Sequence, residues 1–229
     1  MNFTILNIVW FNTVDYTPLQ LGLFFTGAVL WLVCYAYIVR NIFVNKFCEM
    51  PAGVLCANFT WELLWSFYVV PDMGFLLEIG YKLWFIIDLV IVWGFYRYGF
   101  KQVIPEVKQN YRSMFTFGIL GWLVAQYFFI KEGFDNPIGA NSAYILNTLI
   151  SSLYVLMFLR LSNEYKKHLS VIAAWTKCFG TGLISVMVYL KWPETKWVTT
   201  LSVACFLIDL YYIYLVYNFR NSLKFSLSK

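Results

Sequence analysis

The chain predicts an all-α membrane protein, a seven-transmembrane helix bundle, on three observations. Hydrophobic residues fill 61% of its 229 positions and charged residues only 13%, about half the ~25% usual in a soluble domain. Seven separate stretches are apolar over close to the ~20 residues that a helix needs to cross a bilayer. The basic residues between them fall on alternate loops, as they do when successive helices cross in opposite directions.

The first sixteen residues, MNFTILNIVWFNTVDY, lack the basic segment and small-residue cleavage site of a signal peptide and are expected at the membrane interface. The first span covers 19–39. The second, 51–70, opens at Pro51 and stops at the turn Pro71-Asp72-Met73-Gly74. The third and fourth cover 78–97 and 113–130, and the fifth 142–162. The sixth, 169–190, carries Lys177 inside it, with Gly180 and Gly182 nearby to permit close helix packing. The seventh, 197–218, carries Asp209.

Charge fixes the direction of the bundle. Arg40 and Lys46 lie in the first loop, and Arg97, Lys101, Lys108 and Arg112 in or beside the third. Arg160, Lys166 and Lys167 border the fifth, and Arg220, Lys224 and Lys229 form the tail. Only Lys131, Lys191 and Lys196 lie on the opposite side. The N-terminus is therefore expected outside and the C-terminus in the cytoplasm. The net charge of +5 reflects this bias and does not point to nucleic acid. Every loop is short, so residues 1–229 form a single integral membrane domain and the chemistry must reside in the bundle. The five cysteines are odd in number, contain no CxxC pair, and are expected as small buried hydrophobes.

Three acids lie deep in the spans: Glu62 in the second, Asp88 in the third and Asp209 in the seventh. At ~1.5 Å per residue each is about 15 Å from either end of its helix, near the midplane. A charge there costs ~3 kcal/mol or more, so such groups face the bundle interior and mark functional sites. Asn58 and Ser66, one turn to either side, share the face of Glu62, as does Trp65. Asp209 has Ser202, Cys205 and Tyr212 on its face, whereas Asp88 has the drier company of Trp84, Phe85, Ile91 and Val92. A carboxyl group kept from water holds its proton, and a second carboxyl nearby reinforces this. Such a proton beside an apolar cavity suits protonation of a weakly basic substrate. Lys177 is expected to pair with Asp88 or Asp209. Aromatic residues reach 21%; many belong to interfacial belts, but Trp61, Trp65, Trp84, Trp93, Trp122 and Trp175 lie within spans. Aromatic faces stabilise cations. The sequence holds no metal-spaced His/Cys cluster, no GxSxG, HExxH or P-loop, and neither DDxxD nor DxDD.

The segment NFTWE, Asn58 to Glu62, in the second of seven spans, with FLIDLYY around Asp209 in the last, resembles the membrane-bound terpene cyclases. These belong to fungal meroterpenoid and indole-diterpene pathways, with bacterial relatives, and the resemblance covers essentially the whole chain. It implies Glu62 and Asp209 as catalytic acids, with Asp88 as the replacement should Asp209 not match the family's aspartate. It also implies cyclisation of a polyprenyl chain on an aromatic, polyketide or indole head, begun by protonating a terminal epoxide or alkene. Asn58, Trp61, Trp65, Ser66, Trp84, Asp88 and Tyr212 are the expected substrate-binding residues, with no metal and no cofactor. The expected partners are a lipophilic prenylated substrate and the bilayer itself, of the endoplasmic reticulum in a fungus or the plasma membrane in a bacterium. Glu62 lies 11 residues from Pro51 and Asp209 lies 12 from Trp197, so the two are expected at similar depth and facing one cavity. Two other classes compete on the sequence alone. One is a small proton-coupled transporter using the same acids; the other is a retinal-type receptor with Lys177 as Schiff base and Asp88 as counter-ion.

Overall fold

A computed structural model describes residues 9–227, and all its regular structure is helical. The interfacial placement expected for the N-terminus falls partly on residues 1–8, and the basic tail ends at Lys229; these lie outside the described residues. The elements are α1 (Pro18–Asn45), α2 (Ala52–Phe67), α3 (Phe75–Tyr98), α4 (Tyr111–Lys131), α5 (Ala140–Arg160), α6 (Asn163–Lys166), α7 (Val171–Lys191) and α8 (Lys196–Leu227). Two short 3-10 turns, Gly99–Lys101 and Pro105–Val107, join α3 to α4.

Each expected span coincides with one long helix, but among the described residues there are eight α-helices rather than seven. The addition, α6, is a single turn between α5 and α7. Five helices, α1, α4, α5, α7 and α8, are both long and apolar enough to cross a membrane. The other two long helices are α2, only 16 residues, and α3, which carries Glu78, Lys82, Asp88 and Arg97. Helices α1 and α8 outrun their predicted spans because hydropathy marks where lipid contact ends, whereas backbone hydrogen bonding continues through polar residues such as Asn41, Asn45, Asn218 and Asn221.

Local chemistry sets the helix ends. Thr17 and Gln20 form a reciprocal capping box ahead of α1, with Pro18 in its first turn. Ser170 caps α7 by accepting a hydrogen bond from the Ala173 amide. Gly74, at φ 112°, turns the chain into α3, where a Cβ would meet the Trp10 carbonyl oxygen at 2.7 Å.

Helix α1 packs most extensively on α7, α5 on α8, and α2 on both α3 and α4. The α1–α7 crossing depends on two glycines. A Cβ on Gly27 would lie 2.7 Å from the Gly180 carbonyl oxygen, and one on Gly180 would lie 3.0 Å from that of Gly27. The expectation of close packing holds for Gly180, but Gly182 faces open space. All five cysteines are free and buried. The lighter α1–α3 and α2–α5 contacts join the two helix groups, and the cavity described next lies between them.

Candidate active site

One turn of α2 carries both Asn58 and Glu62 inward. Asn58 Nδ2 donates to Asp88 Oδ2 on α3 at 2.7 Å and to the Tyr35 hydroxyl on α1 at 2.6 Å. The Glu62 side chain is buried and lines a cavity of about 100 Å³ between α1, α2, α3, α5 and α7. Among the described residues, Glu62 Oε2 has no hydrogen-bond partner, and neither has Asp88 Oδ1. An unpartnered buried carboxyl oxygen is costly in a dry interior, and of these two carboxyl groups Glu62 is the one that lines the cavity.

The wall is largely aromatic, formed by Phe24, Trp31, Tyr35, Trp61, Tyr81 and Trp84. These rings fix one another. Trp61 meets Tyr81 edge-on at 5.2 Å between centroids, and Tyr81 lies 5.9 Å from Trp84. Trp61 Nε1 donates to Ser142 Oγ at 2.7 Å, and the Tyr81 hydroxyl donates to the Ile138 carbonyl at 2.9 Å. The turn before α5 closes this end. Gly139, at φ 75°, lies so near the indoles that a Cβ would meet Trp65 at 2.6 Å and Trp61 at 2.8 Å. Asp135 anchors the same turn by accepting from the backbone of Asn136, Asn141 and Ser142 and from the Ser142 hydroxyl. Burial pushes the Asp135 carboxyl above its ordinary range, against the opposing effect of those hydrogen bonds.

Asp209 lies elsewhere. Lys177 Nζ is 2.6 Å from its Oδ1 and 2.7 Å from its Oδ2, and donates to Ser151 Oγ at 2.8 Å. The expected lysine–aspartate pair therefore forms, with Asp209 as its acid. Asp209 lines a different, lipid-type groove between α7 and α8 and is absent from the wall of the Glu62 cavity; Thr181 borders both. The two acids thus do not face one cavity. Equal depth places two groups in one layer, but helix rotation decides which way each points, and Lys177 draws Asp209 toward α7.

The other expected binding residues divide. Asn58, Trp61 and Trp84 line the cavity. Asp88 stands behind Asn58, and Trp65 backs the wall by stacking on Trp61 at 5.7 Å. Ser66 is buried away from the cavity, and Tyr212 packs on Tyr154, 5.2 Å between centroids. Sequence reasoning missed Tyr35, Tyr81, Tyr144, Asn147 and Thr181 on the wall. Asn147 and Thr181 were findable, as polar residues inside apolar helices. It also missed Glu49, buried in the loop between α1 and α2, where Lys46 is the one basic residue. A second apolar groove, between α1 and α3 on the outside of the bundle, shares Phe24 and Trp84 with the cavity. Those two side chains separate cavity from groove.

Fold and site together define an all-helical integral membrane protein with a buried carboxyl group in an aromatic-walled cavity. The family model of the Pyr4-like transmembrane terpene cyclases matches residues 12–222, and the chain belongs to that family of enzymes. The Pyr4-family terpene cyclase mfmH of Annulohypoxylon moriforme is 28% identical over 199 residues, covering 85% of this chain and 81% of its own. Terpene cyclase macJ of Penicillium terrestre is 26% identical over 180 residues, covering 73% and 67%. Asnovolin H synthase nvfL of Aspergillus novofumigatus is 23% identical over 225 residues, covering 92% and 89%. No solved structure matches. The family assignment does not favour the transporter or receptor reading.

Proposed function

We propose that the chain cyclises a polyprenyl substrate, joined to an aromatic or polyketide head group, by metal-independent protonation from Glu62. The observation that carries this reading is the unpartnered Glu62 oxygen in an aromatic cavity. Glu62 enters as the neutral acid and gives its proton to a terminal epoxide oxygen or alkene carbon. The epoxide C–O bond or the alkene π bond breaks, leaving a carbocation that successive double bonds attack to close rings. Loss of a proton from the last cation, or capture by a substrate oxygen, ends the sequence, so substrate and product are isomers. Asn58, one turn before Glu62 on α2, is tied to Asp88 on α3 and Tyr35 on α1 and so fixes the turn that presents Glu62, and the faces of Trp31, Trp61 and Trp84 stabilise the cations. Excluding water prevents early capture. The prenyl tail, itself lipid-soluble, enters from the groove behind Phe24 and Trp84.

Seven of the helices cross the membrane in this reading, with the N-terminus outside and the C-terminus cytoplasmic, as the bias of basic residues supports. That membrane is the endoplasmic reticulum in a fungal cell and the plasma membrane in a bacterial one.

The test is incubation of membranes containing the protein, in EDTA, with farnesylated and geranylgeranylated aromatics bearing or lacking a terminal epoxide. Cyclic products of unchanged mass are expected. Turnover of these diphosphate-free substrates that depends strictly on added magnesium would replace protonation from Glu62 by Lewis-acid activation on a metal ion.

A further inference from the structure

The Lys177–Asp209 pair stands immediately behind the cavity wall. Lys177 is 3% exposed and Asp209 also 3%, so neither charge is relieved by solvent. Their neighbours are Ser151 on α5, which accepts from Lys177, and Cys205 on α8, whose sulfur is 3.1 Å from Ser151 Oγ. The thiols of Cys34 on α1 and Cys178 on α7 and the hydroxyl of Tyr212 on α8 are further titratable groups near the pair. On the cavity side the contact is Trp31, whose ring centroid lies 6.0 Å from Lys177 Nζ. Trp31 is held close to α7, since a Cβ on Gly180 would sit 2.9 Å from its Cδ1. Its ring tilts against Tyr35 at 5.8 Å, and Tyr35 in turn accepts from Asn58. A contact path therefore runs from Asp209 through Lys177, Trp31 and Tyr35 to the turn that carries Glu62.

We propose that Asp209 is a positioning residue: it balances the charge of Lys177, so that Trp31 presents its negative face to the substrate cation and not to an uncompensated ammonium. The inference rests on the cyclase reading above and changes the part that Asp209 plays in it. An ammonium behind an aromatic wall repels a carbocation before it, and low-dielectric surroundings transmit that repulsion over several ångströms. A neutral substrate feels little of it. Losing Asp209 should therefore penalise the cationic transition states more than substrate binding, which appears in kcat and not in KM.

The experiment compares wild type with Asp209→Asn, Lys177→Met and the double variant, each purified as a monodisperse species and assayed per folded molecule. Asp209→Asn is expected to lose about 10- to 100-fold in kcat with KM near that of the wild type. It should also release more products quenched after fewer rings, a signature that simple misfolding does not give. Removing the lysine as well should restore kcat to within about threefold of Lys177→Met, and restore the product pattern. Should the Met-bearing double variant fail to fold, Lys177→Gln/Asp209→Asn keeps an amide hydrogen bond in place of the ion pair and serves the same comparison. A folded double variant as inactive as Asp209→Asn overturns the proposal and returns Asp209 to direct proton transfer. Wild-type membranes that make no cyclic product overturn the cyclase reading itself, and this inference with it.

Discussion

Asn58 Nδ2 donates to Asp88 Oδ2 at 2.7 Å, and through that bond an aspartate on α3 takes part in the Glu62 site on α2. Asp88 is fully buried, and the apolar neighbours that make it look like a packing residue are only those of its own helix. Its polar partner comes from α2. Asp88→Leu should therefore harm activity as well as stability, leaving the Asn58 amide short of an acceptor at a cost of about 1–3 kcal/mol. Asp88→Asn keeps an acceptor oxygen and should unfold closer to the wild-type temperature. Thermal unfolding and turnover of the two variants, measured together, check this. Full activity in Asp88→Leu would leave Asp88 a packing residue after all.

Glu62→Gln keeps the shape of the side chain and removes the transferable proton. Turnover should fall at least ~10²-fold, the lower value for a well-placed general acid. Folding should persist, because Glu62 Oε2 makes no hydrogen bond to lose. Product formation by the purified variant, set against its unfolding temperature, gives the answer; cyclisation near the wild-type rate would remove Glu62 from the mechanism.

What the sequence discloses about this site, and what it conceals, follows from the range of the interactions. The apolar stretches reveal the long helices because burial in lipid is a property of each segment alone. Glu62 stands out for the same reason, as a charge in oil needs a purpose. Helical spacing also puts Asn58 beside Glu62 without any knowledge of the rest of the fold. Rotation of one helix against another is different, since it depends on pairs that the linear order hides. Lys177 is 32 positions from Asp209, and that pair turns Asp209 away from Glu62. Tyr35 and Tyr81 escape notice because a tyrosine in an apolar helix looks the same whether it meets lipid, a belt or a cavity.

The α1–α7 crossing yields a paired prediction about glycines on one helix surface or its partner. Gly27→Ala would push a methyl group to 2.7 Å from the Gly180 carbonyl oxygen, a backbone atom that cannot step aside. Overpacking of this kind costs about 1–3 kcal/mol. Gly182→Ala meets nothing within 4 Å and replaces the poorer helix former, so it should be neutral or stabilising by up to ~1 kcal/mol. Unfolding temperatures of the two variants in one detergent should move in opposite directions or differ clearly. Equal losses would mean that the helices do not meet at Gly27.

Glu49 gives the stability its pH dependence. It is 1% exposed in the loop between α1 and α2, where Oε2 accepts from Asn41 Nδ2 at 2.9 Å and Oε1 from the Ser170 amide at 2.6 Å. Asn41 also donates to the His168 carbonyl at 2.7 Å, so this carboxyl ties α1 to the entry of α7. Burial pushes Glu49 from an ordinary 4.5 up to about 7, outweighing the two hydrogen bonds and the charge of Arg220, which favour ionisation. The sign follows from proton counting. Between those two values the folded state holds a proton that the unfolded chain has released, so stability falls as pH rises. Its contribution is whole at the acid end, near pH 4.5, and is lost as the pH passes through about 7. The loss is roughly 3 kcal/mol across the window. Glu49→Gln has no proton to lose, so the difference in unfolding free energy between wild type and variant should change by that order between pH 4.5 and 7.5. Taking the difference cancels the parallel titration of Asp135, which burial also raises. A difference that stays constant over the window would show that Glu49 ionises as readily in the folded protein as in the unfolded chain, its two hydrogen bonds and Arg220 offsetting its burial.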